Sequence, residues 1–126
     1  MKLADTCVWV ELFADTPTGR RYRSLFATPE QVLVPTLVLF ELRRWALREL
    51  GDPETDRVMA ATRNAHIVPL GESTAVLAAE LTVQYRLPAL DALIYASALD
   101  HGATLVTCDA HFEALPGVEY RAKAAA

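Results

Sequence analysis

Lysine is almost missing from this 126-residue chain: of its 12 basic residues only Lys2 and Lys123 are lysines, and the other ten are arginines. The net charge is −4, which excludes the global positive field that draws a protein onto nucleic acid unaided. Cysteine is scarce as well. Cys7 and Cys108 are too few and too irregularly spaced for a secreted disulfide scaffold, and both are expected as reduced thiols. The longest nearly apolar run, VLVPTLVLF at 32–40, falls short of the roughly 20 residues that cross a bilayer, so no membrane helix is expected. MKLADTCVWVELF places Asp5 and Glu11 inside its apolar segment and has no small-residue cleavage site. It does not read as a signal peptide, and a cytoplasmic location is expected. No GxSxG, Walker phosphate loop or dinucleotide-binding glycine fingerprint is present, which argues against a serine hydrolase, a P-loop NTPase and a nicotinamide enzyme.

What the chain does have is the composition of one soluble domain, 52% hydrophobic and 22% charged. The domain is expected over 1–121, followed by a short tail, AKAAA, at 122–126. KLADT reads as a strand turning directly into a helix through Val8, Leu12 and Phe13. Thr16 and Pro17 then start a second helix, with Tyr22, Leu25 and Phe26 at helical spacing. QVLVP is a strand, after which Thr36 is expected to cap a long helix from about Leu37 to Leu50, stopped by Gly51 and Pro53. Residues 54–65 continue helically, HIVPL is a strand, and ESTAVLAAELTVQYRL is a helix ending before Pro88. A further helix runs from about 89 to 101, ATLVT is a buried strand, and GVEYR is a final edge strand. Strands alternating with helices predict an α/β fold, a mainly parallel central sheet with helices on both faces.

LPALDALIYASAL, at 87–99, holds one charged side chain, Asp91. The same helix face carries Ile94, Tyr95 and Ala98, so no local cation is available to pair with it. A favourable place near the helix N-terminus is compatible with a second role. Glu41 is comparably placed in PTLVLFELRRW, although Arg44 at i+3 and Arg48 at i+7 leave an ordinary surface ion pair open. Asp5 and Asp109 each follow a predicted parallel strand, at the rim where open α/β sheets bind ligands. Either could also simply cap the next helix. If their strands are neighbours, the two converge on one crevice, and helices starting nearby can bring Glu41 and Asp91 to it. Four carboxylates in a partly dry crevice repel and raise one another's pKa. Divalent cations compensate, and an all-oxygen ligand set favours Mg²⁺ or Mn²⁺. Such a site suits phosphodiester hydrolysis, with activation of water and stabilisation of the leaving oxygen. Two bound divalent ions would also cancel the −4 net charge that stands against a nucleic-acid substrate.

ADTCVWVELF, VPTLVLFELRR, LPALDALIYASAL and HGATLVTCDAHF together resemble the PIN-domain family and, within it, the VapC-type ribonuclease toxins of toxin–antitoxin pairs. The last two stretches in tandem carry the most specific likeness. The resemblance implies a PIN-like three-layer sandwich in which Asp5, Glu41, Asp91 and Asp109 form the acidic metal site, with Thr6 and Thr107 as hydroxyl partners. It further implies a Mg²⁺- or Mn²⁺-dependent endoribonuclease, an RNA substrate, a VapB-type antitoxin, a toxin homodimer and a toxin–antitoxin hetero-oligomer. Many relatives carry another acidic residue soon after the last Asp, where this chain has Ala110, His111 and Phe112. Cys7 stands where relatives often have Ser or Asn.

GRRYRSLF, at 19–26, offers Arg20, Arg21 and Arg23 to an RNA backbone and Tyr22 to a base, though a solvated helix face with Tyr22 packed inward fits the same pattern. Arg44 and Arg48, with Arg43, are candidates for the rim of the crevice. Cys108 and His111 have zinc-like spacing but lack the second pair a structural zinc site requires. His101 is placed to serve a helix C-terminus, while His66 and His111 have no partner that the sequence identifies. Two other readings compete with the nuclease. A binding-only module would keep the fold and sequester RNA or protein. A phosphoacceptor receiver domain would also gather acidic residues and Mg²⁺, but it uses a lysine at the site, and none occurs between Lys2 and Lys123.

Overall fold

The computed structural model describes residues 1–124, so Ala125 and Ala126 of the expected tail lie outside it. Five short strands, β1 (Lys2–Ala4), β2 (Val32–Pro35), β3 (His66–Val68), β4 (Thr104–Thr107) and β5 (Val118–Tyr120), form one sheet. Their order is β3-β2-β1-β4-β5, and every pairing is parallel. Among the described residues seven α-helices accompany the sheet: α1 (Thr6–Phe13), α2 (Pro17–Arg21), α3 (Arg23–Phe26), α4 (Thr36–Glu49), α5 (Asp52–Thr62), α6 (Glu72–Tyr85) and α7 (Ala89–Asp100). This is the expected α/β sandwich. The central strands are apolar because helices cover them: all four residues of β2 are buried. Leu3 in β1 is in register with Leu33 on one side and Leu105 on the other, and this buried leucine row is the centre of the core.

The topology determines where a crevice opens. From β1 the chain steps outward to β2 and β3, then returns through α6 and α7 to lay β4 on the other flank of β1. Reversal of strand order beside β1 creates a switch point at the carboxyl ends of β1 and β4. Asp5 follows β1 directly, and its backbone N–H donates to Val106 O at 3.0 Å, tying the two strand ends together.

The helix expected over 54–65 runs Asp52–Thr62, so Pro53 lies in its first turn and does not follow a stop; two other helix boundaries also differ from expectation. The single helix expected after Pro17 is broken at Tyr22 into α2 and α3. Thr16 does cap it, accepting the Gly19 N–H at 3.0 Å. At the break Tyr22 is buried, while Arg20 and Arg23 on either side both reach Asp15. Gly19 is required here, since a Cβ at this position would lie 2.0 Å from Glu11 O. In the second case Thr36 is the first residue of α4 and not its cap. Pro35 is extended at the cap position, with ψ 147° and a φ of −63° that its ring enforces, and the helix starts immediately after it.

The apolar helix around Asp91 packs as its composition demands. Ala92, Ile94, Tyr95, Ala96, Ser97 and Ala98 of α7 are all buried. Tyr95 places its hydroxyl on Pro116 O at 2.5 Å. Thr74 and Ser73 of α6 donate to Asp100 at 2.6 and 2.9 Å, fixing α6 against α7. Asp91 lies in the first turn of α7, so this packing aims it at the crevice. At the other end His101 occupies the C-cap, its Nδ1 2.8 Å from Ser97 O, as expected for a helix C-terminus.

Candidate acidic active site

Asp5, Glu41, Asp91 and Asp109 come from four separate elements and line one cleft of about 300 Å³. Asp5 starts α1, Glu41 lies in the second turn of α4, Asp91 in the first turn of α7, and Asp109 follows β4. Thr6, Cys7, Val10, Glu11 and Lys123 complete the lining. The alternative of a helix cap for Asp5 and Asp109 also holds. Asp5 accepts the Thr6 N–H at 2.8 Å, and Asp109 accepts the His111 N–H at 3.0 Å, each with one carboxylate oxygen. Capping and a place in the cleft are therefore compatible, because a carboxylate has a second oxygen to spare.

One hydrogen-bonded chain runs through the whole cluster. The Thr6 hydroxyl donates to Glu41 at 2.7 Å, while its backbone N–H holds Asp5. The Thr107 hydroxyl donates to the other Asp5 oxygen at 2.8 Å and accepts the Asp109 N–H at 2.9 Å. His111 continues the chain from Asp109 to Asp91, with Nδ1 2.7 Å from the Asp91 carboxylate and 3.5 Å from that of Asp109. The sequence identified no partner for His111. Its partner is Asp91, 20 residues away. Glu41 is held by Thr6, and the arginines offered to it locally are engaged elsewhere: Arg44 stacks over the Phe40 ring at 5.1 Å and Arg48 pairs with Glu49.

Burial sets the electrostatics. Asp5 is only 5% exposed, and desolvation pushes its pKa up to about 6. The Thr107 and Thr6 hydrogen bonds oppose this rise, and Asp91 and Asp109 reinforce it. Asp91 is raised too, mainly by burial, with the His111 hydrogen bond acting the other way. The His111 imidazole shifts upward, chiefly through its hydrogen bond to Asp91 and then the charge of Asp109. Burial beside other carboxylates leaves the charges of Asp5 and Asp91 poorly solvated, a penalty that a cation would offset. The donor set fits a divalent cation: four carboxylates on one cleft, with Asp91, Asp109 and His111 able to present ligand atoms all within 4.8 Å of one another.

The zinc-like Cys108–His111 spacing does not bring those two side chains to one centre. His111 turns to the aspartates, and the Cys108 backbone N–H donates to the sulfur of Cys7 at 3.3 Å. Both cysteines are free thiols. None of Arg20, Arg21, Arg23, Arg44 and Arg48 is among the described residues that line the cleft. Arg20 and Arg23 are tied to Asp15, and Arg21 borders a separate cavity of about 720 Å³ beside Tyr22, Ser24 and Arg121. Tyr22 packs inward, leaving no ring for a base.

Glu11 and Lys123 were missed altogether. Lys123 Nζ lies 3.3 Å from Glu11 Oε1, and Thr16 donates its hydroxyl to the other oxygen of Glu11 at 2.5 Å. Lys123 lines the same cleft through its pair with Glu11, so the scarcity of lysine does not by itself set a receiver domain aside. Strand order excludes that fold instead, because a receiver sheet runs 2-1-3-4-5 and this one runs 3-2-1-4-5.

Solved structures with the same architecture include a toxin–antitoxin complex from Klebsiella pneumoniae, matched at TM-score 0.83 and 24% identity over 94% of this chain and 96% of that one. VapBC2 from Rickettsia felis, bound to a DNA fragment from their promoter, matches at TM-score 0.76 and 18% identity over 94% and 97% of the two chains. Mycobacterium tuberculosis VapC20, described as a sarcin–ricin loop cleaving toxin, matches at 0.70 and 19% over 82% and 85%. No curated protein matches the sequence at a significant level. The model of the PIN domain family matches residues 2–118, a span that covers nearly the full length of the fold and contains Asp5, Glu41, Asp91 and Asp109. The chain belongs to the PIN domain family.

Proposed function

We propose that this PIN domain is a Mg²⁺- or Mn²⁺-dependent endoribonuclease and the toxin of a toxin–antitoxin pair. The observation that carries the reading is the convergence of Asp5, Glu41, Asp91 and Asp109 on one cleft at the switch point of the sheet. Those four carboxylates would hold the cation. When bound, it supplies a Lewis acid that lowers the pKa of water and offsets negative charge on the phosphate. The chain does the rest. Thr107 and Thr6 fix the orientation of Asp5 and Glu41, His111 holds Asp91, and Cys7 and Val10 complete the lining. Fixing ligand orientation in this way leaves little to reorganise when substrate arrives.

The similar structures support the biological setting: one is a toxin described as cleaving the sarcin–ricin loop, and others are toxin–antitoxin complexes. A VapB-type antitoxin, a homodimer and a toxin–antitoxin hetero-oligomer follow for this chain on the same reading, in the cytoplasm. Val76 and Val83 stand exposed on α6 and offer apolar surface to such an assembly. No helix among the described residues is long and apolar enough to cross a membrane.

The test is incubation of purified, antitoxin-free protein with pooled transfer and ribosomal RNAs in Mg²⁺, Mn²⁺ or EDTA, with the Asp91→Asn variant in parallel. Discrete fragments that require metal and disappear in the variant are expected. Uncut RNA with folded protein and metal present would favour a module that only binds.

A further inference from the structure

The last described turn of chain delivers a cation to the acidic cleft. Beyond β5 the chain continues the parallel ladder by one more bond, the Arg121 N–H donating to Thr107 O at 3.0 Å. Three residues on, the Ala124 N–H donates to the hydroxyl of Thr18, itself a buried side chain, at 2.7 Å. Lys123 is thus clamped on both sides by backbone hydrogen bonds. Its ammonium lies 3.3 Å from Glu11, and it is the one lysine or arginine among the described residues lining the cleft. Glu11 is held in turn by the Thr16 hydroxyl, so the anchor is fixed before the lysine reaches it.

The pair is asymmetric in exposure. The Glu11 side chain is 13% exposed and that of Lys123 59%. An ammonium has three donors. One is turned to Glu11, and the exposed remainder faces a cleft whose other charged lining residues are all carboxylates. Of those, Asp5, Glu41, Asp91 and Asp109 are placed to face a metal. A phosphodiester entering this cleft carries negative charge toward negative walls, and Lys123 is the protein group there with the charge and the free donors to receive it.

We propose that Lys123 is a phosphate-binding residue for a single-stranded RNA substrate, positioned by Glu11 and by the clamps at Arg121 and Ala124. This rests on the ribonuclease reading above and adds to it the group that holds the substrate backbone beside the metal ligands. It also gives the tail a function, since Lys123 is then the residue that makes an acidic cleft receptive to a polyanion.

The experiment compares Lys123, Lys123→Ala, Lys123→Met and Lys123→Arg in the full chain. Binding of a fluorescein-labelled single-stranded RNA is followed by anisotropy across a salt series with Mn²⁺, in an Asp109→Asn background that prevents cutting. Loss of one charge-assisted contact is expected to weaken binding about tenfold. The slope of log affinity against log salt should fall by about 0.7, the value for one phosphate on a single strand. Lys123→Arg should keep both. In the cutting-competent chain the Ala and Met variants should raise KM with little change in kcat. Affinity and slope unchanged in Lys123→Ala and Lys123→Met, with RNA still bound and cut by the unsubstituted chain, would overturn the role of Lys123 and leave the nuclease intact. The same unchanged slope accompanied by a lower melting temperature would mark a merely structural pin and overturn it equally. Failure of the unsubstituted chain to bind or cut RNA would overturn both readings.

Discussion

The Thr107 hydroxyl donates to Asp5 Oδ2 at 2.8 Å while accepting the Asp109 N–H at 2.9 Å. One side chain thus fixes the carboxylate of Asp5 and the backbone of Asp109, and it does so at the point where β1 and β4 lie side by side. Thr107 is fully buried, so no water can replace either bond without a rearrangement of the strand end. Replacing Thr107 with Val keeps the shape and removes both hydrogen bonds. The expected result is a loss of metal affinity or activity of about 10–100-fold, the usual effect of removing a group that orients metal ligands. Calorimetric titration of the metal alongside circular dichroism separates this effect from misfolding.

Burial of the Asp5 carboxylate costs the fold stability that a bound cation would offset. Its carboxyl pKa is about 6 in the folded chain against 3.8 ordinarily. Between those values the folded state holds a proton that the unfolded state has released. Stability therefore falls as pH rises through that window and stays low above about 6. The shift corresponds to roughly 3 kcal/mol. In EDTA at pH 7.5, Asp5→Asn is expected to melt at a higher temperature than the parent chain, and near pH 4 the difference should largely vanish. Mn²⁺ should raise the melting temperature of the parent and leave the variant unmoved. Thermal melts at the two pH values, with and without metal, check both statements.

Gly19 controls how closely α2 approaches α1. A methyl there would meet Glu11 O at 2.0 Å, a backbone atom that cannot swing aside. Gly19→Ala should destabilise the fold by about 3 kcal/mol, as overpacking against fixed atoms does. Urea denaturation measures it directly. Because the same displacement moves Glu11, any folded Gly19→Ala protein should also show a weaker grip on Lys123 and reduced affinity for RNA.

Much of the fold and cleft is legible in the sequence because the relevant signals are local. β1 and β4 are short apolar segments ending just before Asp5 and Asp109. The isolation of Asp91 is visible within one helix, since Ile94, Tyr95 and Ala98 leave it no cation. Glu41 was the most ambiguous of the four, and the ambiguity was resolved by a residue 35 positions away, Thr6, that no helical spacing can reveal. His111 and the Glu11–Lys123 pair were hidden for the same reason. Their partners are brought together by the return of the chain across β1 and by the segment after β5, whose Ala124 N–H is held by Thr18. Arg20 and Arg23 look unpaired in sequence, and the break at Tyr22 gives both an ion pair with Asp15 while leaving their side chains exposed.

Calorimetric titration of Mn²⁺ into metal-stripped protein, repeated with Asp91→Asn and Asp109→Asn, measures most directly whether the acidic cleft is a divalent-cation centre. Saturable binding by the parent chain, weakened about tenfold or more in each folded variant as an oxygen ligand is lost, is the expected result. Absence of binding by the folded parent, or binding of equal strength in both variants, would contradict it.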